Sequence, residues 1–269
     1  MPDELTVATE LAREAGSLIK RELTKTKRVD HKAAVDLVTD VDLAAEKIIK
    51  DGLTSAFPLH QIVAEESSAG RPGDGQCWYV DPIDGTVNFV HGLPHCAVSI
   101  AFLDGGRPRA AVVLDPCKDE CFQARLGQGA TLNGEPIVVS DTSTLDAALL
   151  VTGFPYDRRQ RSAFYLRYFE AFLCKARDLR RFGSAALDLC YVACGRFDGF
   201  WEWYLQPWDT AAGWLMVEEA GGQVSDFDGS PYDLWSPRIL ATNGRVHGDC
   251  RNLMRGLLQG DDGSMGPLV

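Results

Sequence analysis

A chain of 269 residues, 45% apolar and 24% charged, is long enough to bury a sizeable core and too hydrophobic to stay disordered. Its formal charge of −11 argues against a nucleic-acid partner, which demands Lys and Arg. No run approaches the roughly 20 apolar residues of a membrane helix. The acidic start, Met1-Pro2-Asp3-Glu4, lacks the basic-then-apolar order of a secretory leader, so a cytoplasmic protein with no membrane or nucleic-acid partner is expected.

In chain order, Leu5, Ala8, Leu11, Ala12, Ala15, Leu18 and Ile19 repeat with a helical period and predict a helix over 3–23. Val35–Thr39 reads as a short strand. Asp40 or Asp42 is the expected cap of a helix over 42–56, which Pro58 stops. Short strands follow near 61–64 and 77–80. Runs at 96–103, 109–115 and 119–124 read as an antiparallel meander with turns at Asp104-Gly105-Gly106 and Asp115-Pro116, and further strands are expected at 130–132 and 136–139.

The second half alternates. Strands are expected at 147–152, 178–182, 197–203, 222–225 and 238–242, and helices at 160–176, 184–194, 209–220 and 246–258. That order predicts layered α/β packing. A boundary near residue 140 divides an α+β half (1–140) from an α/β half (141–269). No Pro/Gly/Ser linker marks it, so the halves should pack together. The tail 260–269, rich in Gly and Asp, should fray. None of the eight cysteines forms a C-x-x-C pair or stands at zinc-finger spacing from a His, which reads as reduced core thiols.

The chemistry concentrates in acids at the ends of strands and the starts of helices. In Trp78-Tyr79-Val80-Asp81-Pro82-Ile83-Asp84-Gly85-Thr86-Val87-Asn88-Phe89, a strand delivers Asp81, Pro82 breaks it, Gly85 permits a sharp turn and Thr86 can open a short helix. Two carboxylates and the Ile83 carbonyl then aim at one point, as a hard divalent cation requires. The backbone N–H groups that follow suit a phosphate. Each acid alone is also ordinary turn or cap chemistry. Ala64-Glu65-Glu66-Ser67, Asp36 to Asp42 and Trp208-Asp209 repeat the pattern, however, and no His or Cys cluster competes for a metal. Jointly they indicate a Mg²⁺ site, and bound cations would let so acidic a chain accept a phosphorylated substrate.

Together these segments resemble the inositol monophosphatase family. The signature W-x-x-D-P-[ILM]-D-G-T-x-N-F is met from Trp78 to Phe89. W-D-x-A-A-G followed by E-A-G-G is met at Trp208 to Gly213 and Glu219 to Gly222. The upstream D-L-V-T-x-x-D and E-E-S are met at Asp36 to Asp42 and Glu65 to Ser67. The resemblance runs from about residue 5 to 258. It implies a layered αβαβα sandwich of the α+β class, a homodimer, and a Mg²⁺-dependent, lithium-sensitive phosphatase of the cytoplasm. By motif match, Glu65, Asp81, the Ile83 carbonyl, Asp84 and Asp209 would hold two or three Mg²⁺. Thr86 with Asp42, beside Glu65, would orient the attacking water. Gly85 and Thr86 would contact phosphate, and Gly183, Ser184, Ala185 and Glu202 the alcohol part of the substrate.

Ala64 stands where the family often has Gly. Trp203 and Tyr204, bulky after Glu202, either narrow the substrate pocket or pack beneath it. His31-Lys32 falls in a loop that in the family folds over the metals, and His91 and His95 read as structural. The expected reaction is hydrolysis of inositol 1-phosphate by metal-activated water, with no covalent intermediate. Histidinol phosphate, fructose 1,6-bisphosphate and 3′-phosphoadenosine 5′-phosphate are alternative substrates within the superfamily. A regulatory or RNA-associated binding protein is the alternative of a different class.

Overall fold

The computed structural model describes residues 2–25, 29–33, 36–67, 70–73 and 75–259. The start of the strand expected from Val35 and the tail 260–269 lie outside the described residues, as do the side chains of 29–37.

In chain order the elements are α1 (Glu4–Glu22), β1 (Val29–Ala33), β2 (Asp36–Thr39), α2 (Asp40–Ala56), β3 (Gln61–Ala64), β4 (Gln76–Asp84), α3 (Thr86–Val90), β5 (Ala97–Asp104), β6 (Arg107–Asp115), β7 (Glu120–Arg125), β8 (Gly129–Leu132) and β9 (Glu135–Ile137). After a 3₁₀ turn at Leu145–Ala147 come β10 (Leu149–Thr152), α4 (Arg158–Leu173), β11 (Asp178–Arg180), α5 (Ala185–Ala193), β12 (Gly199–Trp203), α6 (Pro207–Glu219), β13 (Gln223–Ser225), β14 (Arg238–Thr242) and α7 (His247–Gln259).

Five layers result. A seven-stranded sheet, β3-β4-β5-β6-β7-β8-β9, is antiparallel apart from the β3–β4 pair. A five-stranded sheet, β11-β10-β12-β14-β13, is parallel across β11-β10-β12 and antiparallel beyond. The helices α1 and α2 cover the outer face of the first sheet through Ala8, Ala12, Ile19, Ile49 and Leu53. Between the sheets lie α5 and α6, buried almost all round. The outer face of the second sheet is covered by α4 and α7. The expected αβαβα sandwich is the observed architecture.

Local chemistry explains several boundaries. The Asp3 carboxylate caps α1 by accepting from Thr6 N at 2.9 Å, and Lys20 and Arg21 complement the far end of its dipole. For α2 the cap is Thr39, not Asp40 or Asp42. The Asp42 side chain instead reaches back to Thr39 N at 2.8 Å, completing a capping box. Likewise Asp209 is not the first cap of α6. Gln206 is, with Pro207 in the first turn, and Asp209 Oδ2 accepts from Gln206 N at 2.7 Å. Pro82 does not end β4. The strand continues to Asp84, and the pairing with β5 slips between Asp81 and Asp84, as a proline that cannot donate to the ladder requires. The backbone of His31 and Lys32 belongs to β1, paired with β2, where a loop was expected.

Candidate active site

The end of β4, the start of α3 and the starts of α2, α5 and α6 converge, and the Glu65 turn joins them. Glu65 N donates to Val80 O at 3.1 Å, which seats that turn against β4. Asp81 Oδ1 accepts from Ile83 N at 3.0 Å. Asp84 Oδ2 accepts from Ser184 Oγ at 2.6 Å and Ala186 N at 2.7 Å, so the start of α5 grips it from the other half of the chain. The bonds from Ser184 Oγ and Ala186 N both go to Asp84 Oδ2, and Asp209 accepts from Gln206 N through its own Oδ2.

Electrostatics show that these acids share one place. Burial and then the charges of Glu65, Asp84 and Asp209 hold the Asp81 carboxyl well above its ordinary range. Burial, then Asp84 and Glu65, do the same to Asp209. Asp84 is pushed up to about 6 by burial, against the opposing pull of its Ser184 and Ala186 bonds. No Lys or Arg among the described residues pairs with Asp81, Asp84 or Asp209.

Crowded, buried, all-oxygen acids without a counter-charge fit a hard divalent cation. No three His, Cys, Asp or Glu side chains among the described residues close a metal cage by themselves.

Thr86 stands beside this group. Its hydroxyl lies 2.9 Å from Ile83 O and 3.2 Å from Asp42 Oδ1. Burial raises Asp42 to about 6, while Thr39 and Thr86 pull the other way. Gly85 makes the turn possible. Its φ is +92°, and a Cβ there would stand 3.1 Å from Gly183 O and 3.2 Å from His95 O. The same turn is pinned by Asn88, whose amide donates to Phe182 O at 2.8 Å and His95 O at 2.9 Å. Asn88 thereby ties the segment to the Gly183 loop, a role its place in the motif does not disclose.

Glu202, on β12, is a buried acid. Its carboxylate lies against Gly153, where any Cβ would collide with it. Burial drives it up to about 8, opposed by Arg181. Asp188, on α5, is a buried acid that sequence reasoning missed. Its Oδ1 has no partner, and burial, then Glu202 and Asp84, push it well above the usual range. A polar residue four places after Ser184 in an otherwise apolar helix was the available signal. Ser184, expected at the alcohol, donates to Asp84; Ala185 opens α5, and Gly183 makes a left-handed turn with φ +84°.

Trp203 does not reach the site. It packs edge-on against Phe164, Tyr168 and Phe227 in the core beyond the second sheet. The Tyr204 hydroxyl faces Arg161 at 3.3 Å. The His95 ring tilts on Phe182 at 5.2 Å, and all eight cysteines are free thiols. No described helix is long and apolar enough to cross a membrane.

The profile of the inositol monophosphatase family matches residues 1–256. The chain belongs to that family. It is 46% identical over 246 residues to the Nus factor SuhB of Salmonella typhimurium, covering 90% of this chain and 92% of that one. It is also 46% identical over 245 residues to an inositol-1-monophosphatase of Synechocystis, covering 90% and 85%. The solved inositol monophosphatase of Anabaena superposes with a TM-score of 0.83 at 42% identity, over 98% of this chain and 96% of that one. The phosphatase signatures in the sequence and the convergent acids in the fold therefore have a common origin in this family.

Proposed function

We propose that this chain is a Mg²⁺-dependent phosphatase that hydrolyses a small-molecule phosphate monoester, with inositol 1-phosphate the preferred substrate. The observation that carries this reading is the mutual repulsion of the buried Asp81, Asp84 and Asp209, increased by the charge of Glu65, with no Lys or Arg among the described residues paired to those three. Two or three Mg²⁺ would be held by Glu65, Asp81, the Ile83 carbonyl, Asp84 and Asp209. When bound, they supply hydroxide near neutral pH and stabilise the leaving alkoxide.

The remaining work falls to the chain. Asp42 cannot rotate, because Thr39 N and Oγ1 hold its Oδ2. Its Oδ1 receives the Thr86 hydroxyl proton, which turns a Thr86 lone pair toward the attacking water and orients it for in-line attack. The sharp turn at Gly85 lets backbone N–H groups of Gly85 and Thr86 approach the phosphate. Glu202, with Gly183 and Ala185, would receive the alcohol. Ser184 acts instead on Asp84, which it holds in place. The reading includes a cytoplasmic homodimer sensitive to lithium.

The deciding experiment is phosphate release from inositol 1-phosphate, histidinol phosphate, fructose 1,6-bisphosphate and 3′-phosphoadenosine 5′-phosphate, with saturating Mg²⁺ and after chelation. Turnover that vanishes on chelation and is fastest with inositol 1-phosphate is expected. Indifference to chelation would remove the metal mechanism, and a faster alternative substrate would replace the preferred one.

One observation favours a second reading. A relative with the same 46% identity bears the name Nus factor, and the second reading gives this fold a binding role beside the acid cluster. Absence of turnover on every monoester, together with retention of Mg²⁺ binding, would favour that role alone.

A further inference from the structure

One aromatic-walled cavity among the described residues lies away from the acids. It has a volume of about 390 Å³ and is lined by Cys77 and Tyr79 of β4, Leu103 of β5, Trp214 of α6 and the segment 231–235. Two edge-on aromatic pairs wall it: Tyr79 with Trp235, centroids 6.5 Å apart, and Trp214 with Tyr232, 5.2 Å apart. Arg71 also lines it, with its guanidinium 5.7 Å over the Trp235 ring. Arg71 makes no ion pair among the described residues. Asp233 also lines the cavity, and its Oδ1 accepts from Trp235 N at 2.9 Å.

Rings that meet edge to face leave flat surfaces on which another ring stacks, and the volume falls in the range of small-ligand sites. A guanidinium that makes no ion pair among the described residues and lies over an indole adds attraction for an anionic substituent on such a ring. The cavity is also bonded to the residue that follows Asp209. Tyr232 Oη lies 2.9 Å from Thr210 Oγ1, and Thr210 directly follows Asp209 at the start of α6.

We propose that this cavity is an effector site for a planar aromatic anion, held against its aromatic wall at Trp235 with its charge toward Arg71, and that occupancy is transmitted to Asp209 through Tyr232 and Thr210. The binding half stands independently of the phosphatase reading; the transmission half rests on it.

Anthranilate, a planar aromatic anion without phosphorus, is the probe. It is titrated by calorimetry into the full chain with Mg²⁺ and inorganic phosphate present, so that the acid cluster is already occupied. One-to-one binding is expected. Arg71→Ala and Trp235→Ala should each weaken it about tenfold, and circular dichroism should show both folded. No binding, or binding unchanged in both variants, overturns the site. In the kinetic arm, anthranilate should shift KM for inositol 1-phosphate at least about twofold in the wild type. It should leave KM unchanged in Tyr232→Phe, which keeps the ring and loses the hydroxyl. An equal shift in both proteins, or none in either, overturns the transmission. A wild type inactive on every monoester removes the phosphatase reading and the transmission with it, while the binding arm is decided by calorimetry alone.

Discussion

The segments 81–89 and 200–204 are comparably dense in conspicuous residues, and the fold treats them differently. From Asp81 to Asn88 nearly every polar group turns to one place: Asp81 binds Ile83 N, Thr86 reaches Asp42, and Asn88 ties down the Gly183 loop. From Phe200 to Tyr204 the polar and aromatic groups part company. Phe200 joins the core between the sheets and Glu202 lies beside Gly153, whereas Trp201 and Trp203 enter the core beyond the second sheet. The cause is geometry. A slipped strand end followed by a left-handed glycine folds consecutive side chains onto one centre, whereas a regular strand sends alternate residues to opposite faces. Density of notable residues therefore signals a site only where the backbone turns.

The sharpest way to break this comparison is Asp84→Asn. It should reduce Mg²⁺-dependent phosphate release about 10³-fold while circular dichroism remains native. Near-wild-type turnover would show that the turn is only a structural cap.

Trp203→Ala should do the opposite. Loss of a buried indole packed edge-on among Phe164, Tyr168 and Phe227 should cost about 3 kcal/mol in urea unfolding. The ratio of kcat/KM between inositol 1-phosphate and p-nitrophenyl phosphate should stay the same. A changed ratio without lost stability would place Trp203 at the substrate after all.

Gly85→Ala tests the turn itself. A left-handed φ of +92° with two carbonyls crowding the new Cβ should lower stability by about 1–2 kcal/mol and depress turnover as well, seen as a lower Tm and a lower kcat.

The smallest effect belongs to a region remote from the acids. His247 is buried between Ser225 and Thr242, at 2.9 and 3.0 Å, and burial, assisted by Arg251, lowers it from 6.5 to about 4. Folded protein then binds fewer protons than unfolded protein between those values. Its contribution is whole above pH 6.5 and is lost as pH falls toward 4. Urea unfolding at pH 5.5 should show about 1 kcal/mol less stability than at pH 7 from this group, and His247→Gln should flatten that slope. An unchanged slope would remove His247 from the account of acid sensitivity.

Much of the fold was legible. The strands 61–64 and 238–242 lie where apolar runs put them, and the two buried helices carry the continuous apolar and small residues expected of an interior layer. The failures have specific causes. Val29–Ala33 is too polar to announce a strand, and pairing with β2 decides it. Pro82 looks like a terminator, yet the slip in register accommodates it. Which acid caps a helix depends on which side chain can reach back, so Asp42 and Asp209 took the third position and left the cap to Thr39 and Gln206.

The sequence by itself determined the layered class, the family, and the acid-rich segments on which the proposed chemistry rests. Those properties live in periodicity and in short motifs whose spacing survives without knowledge of the rest of the chain. Only the tertiary structure decided that Ser184 serves Asp84, that Asp188 lies buried beside Glu202, that Trp203 turns away, and that an aromatic cavity stands one hydroxyl from Thr210. Each of these depends on groups tens of residues apart or on which face of a strand or helix is covered. Burial and through-space charge are set by packing, which no local pattern encodes.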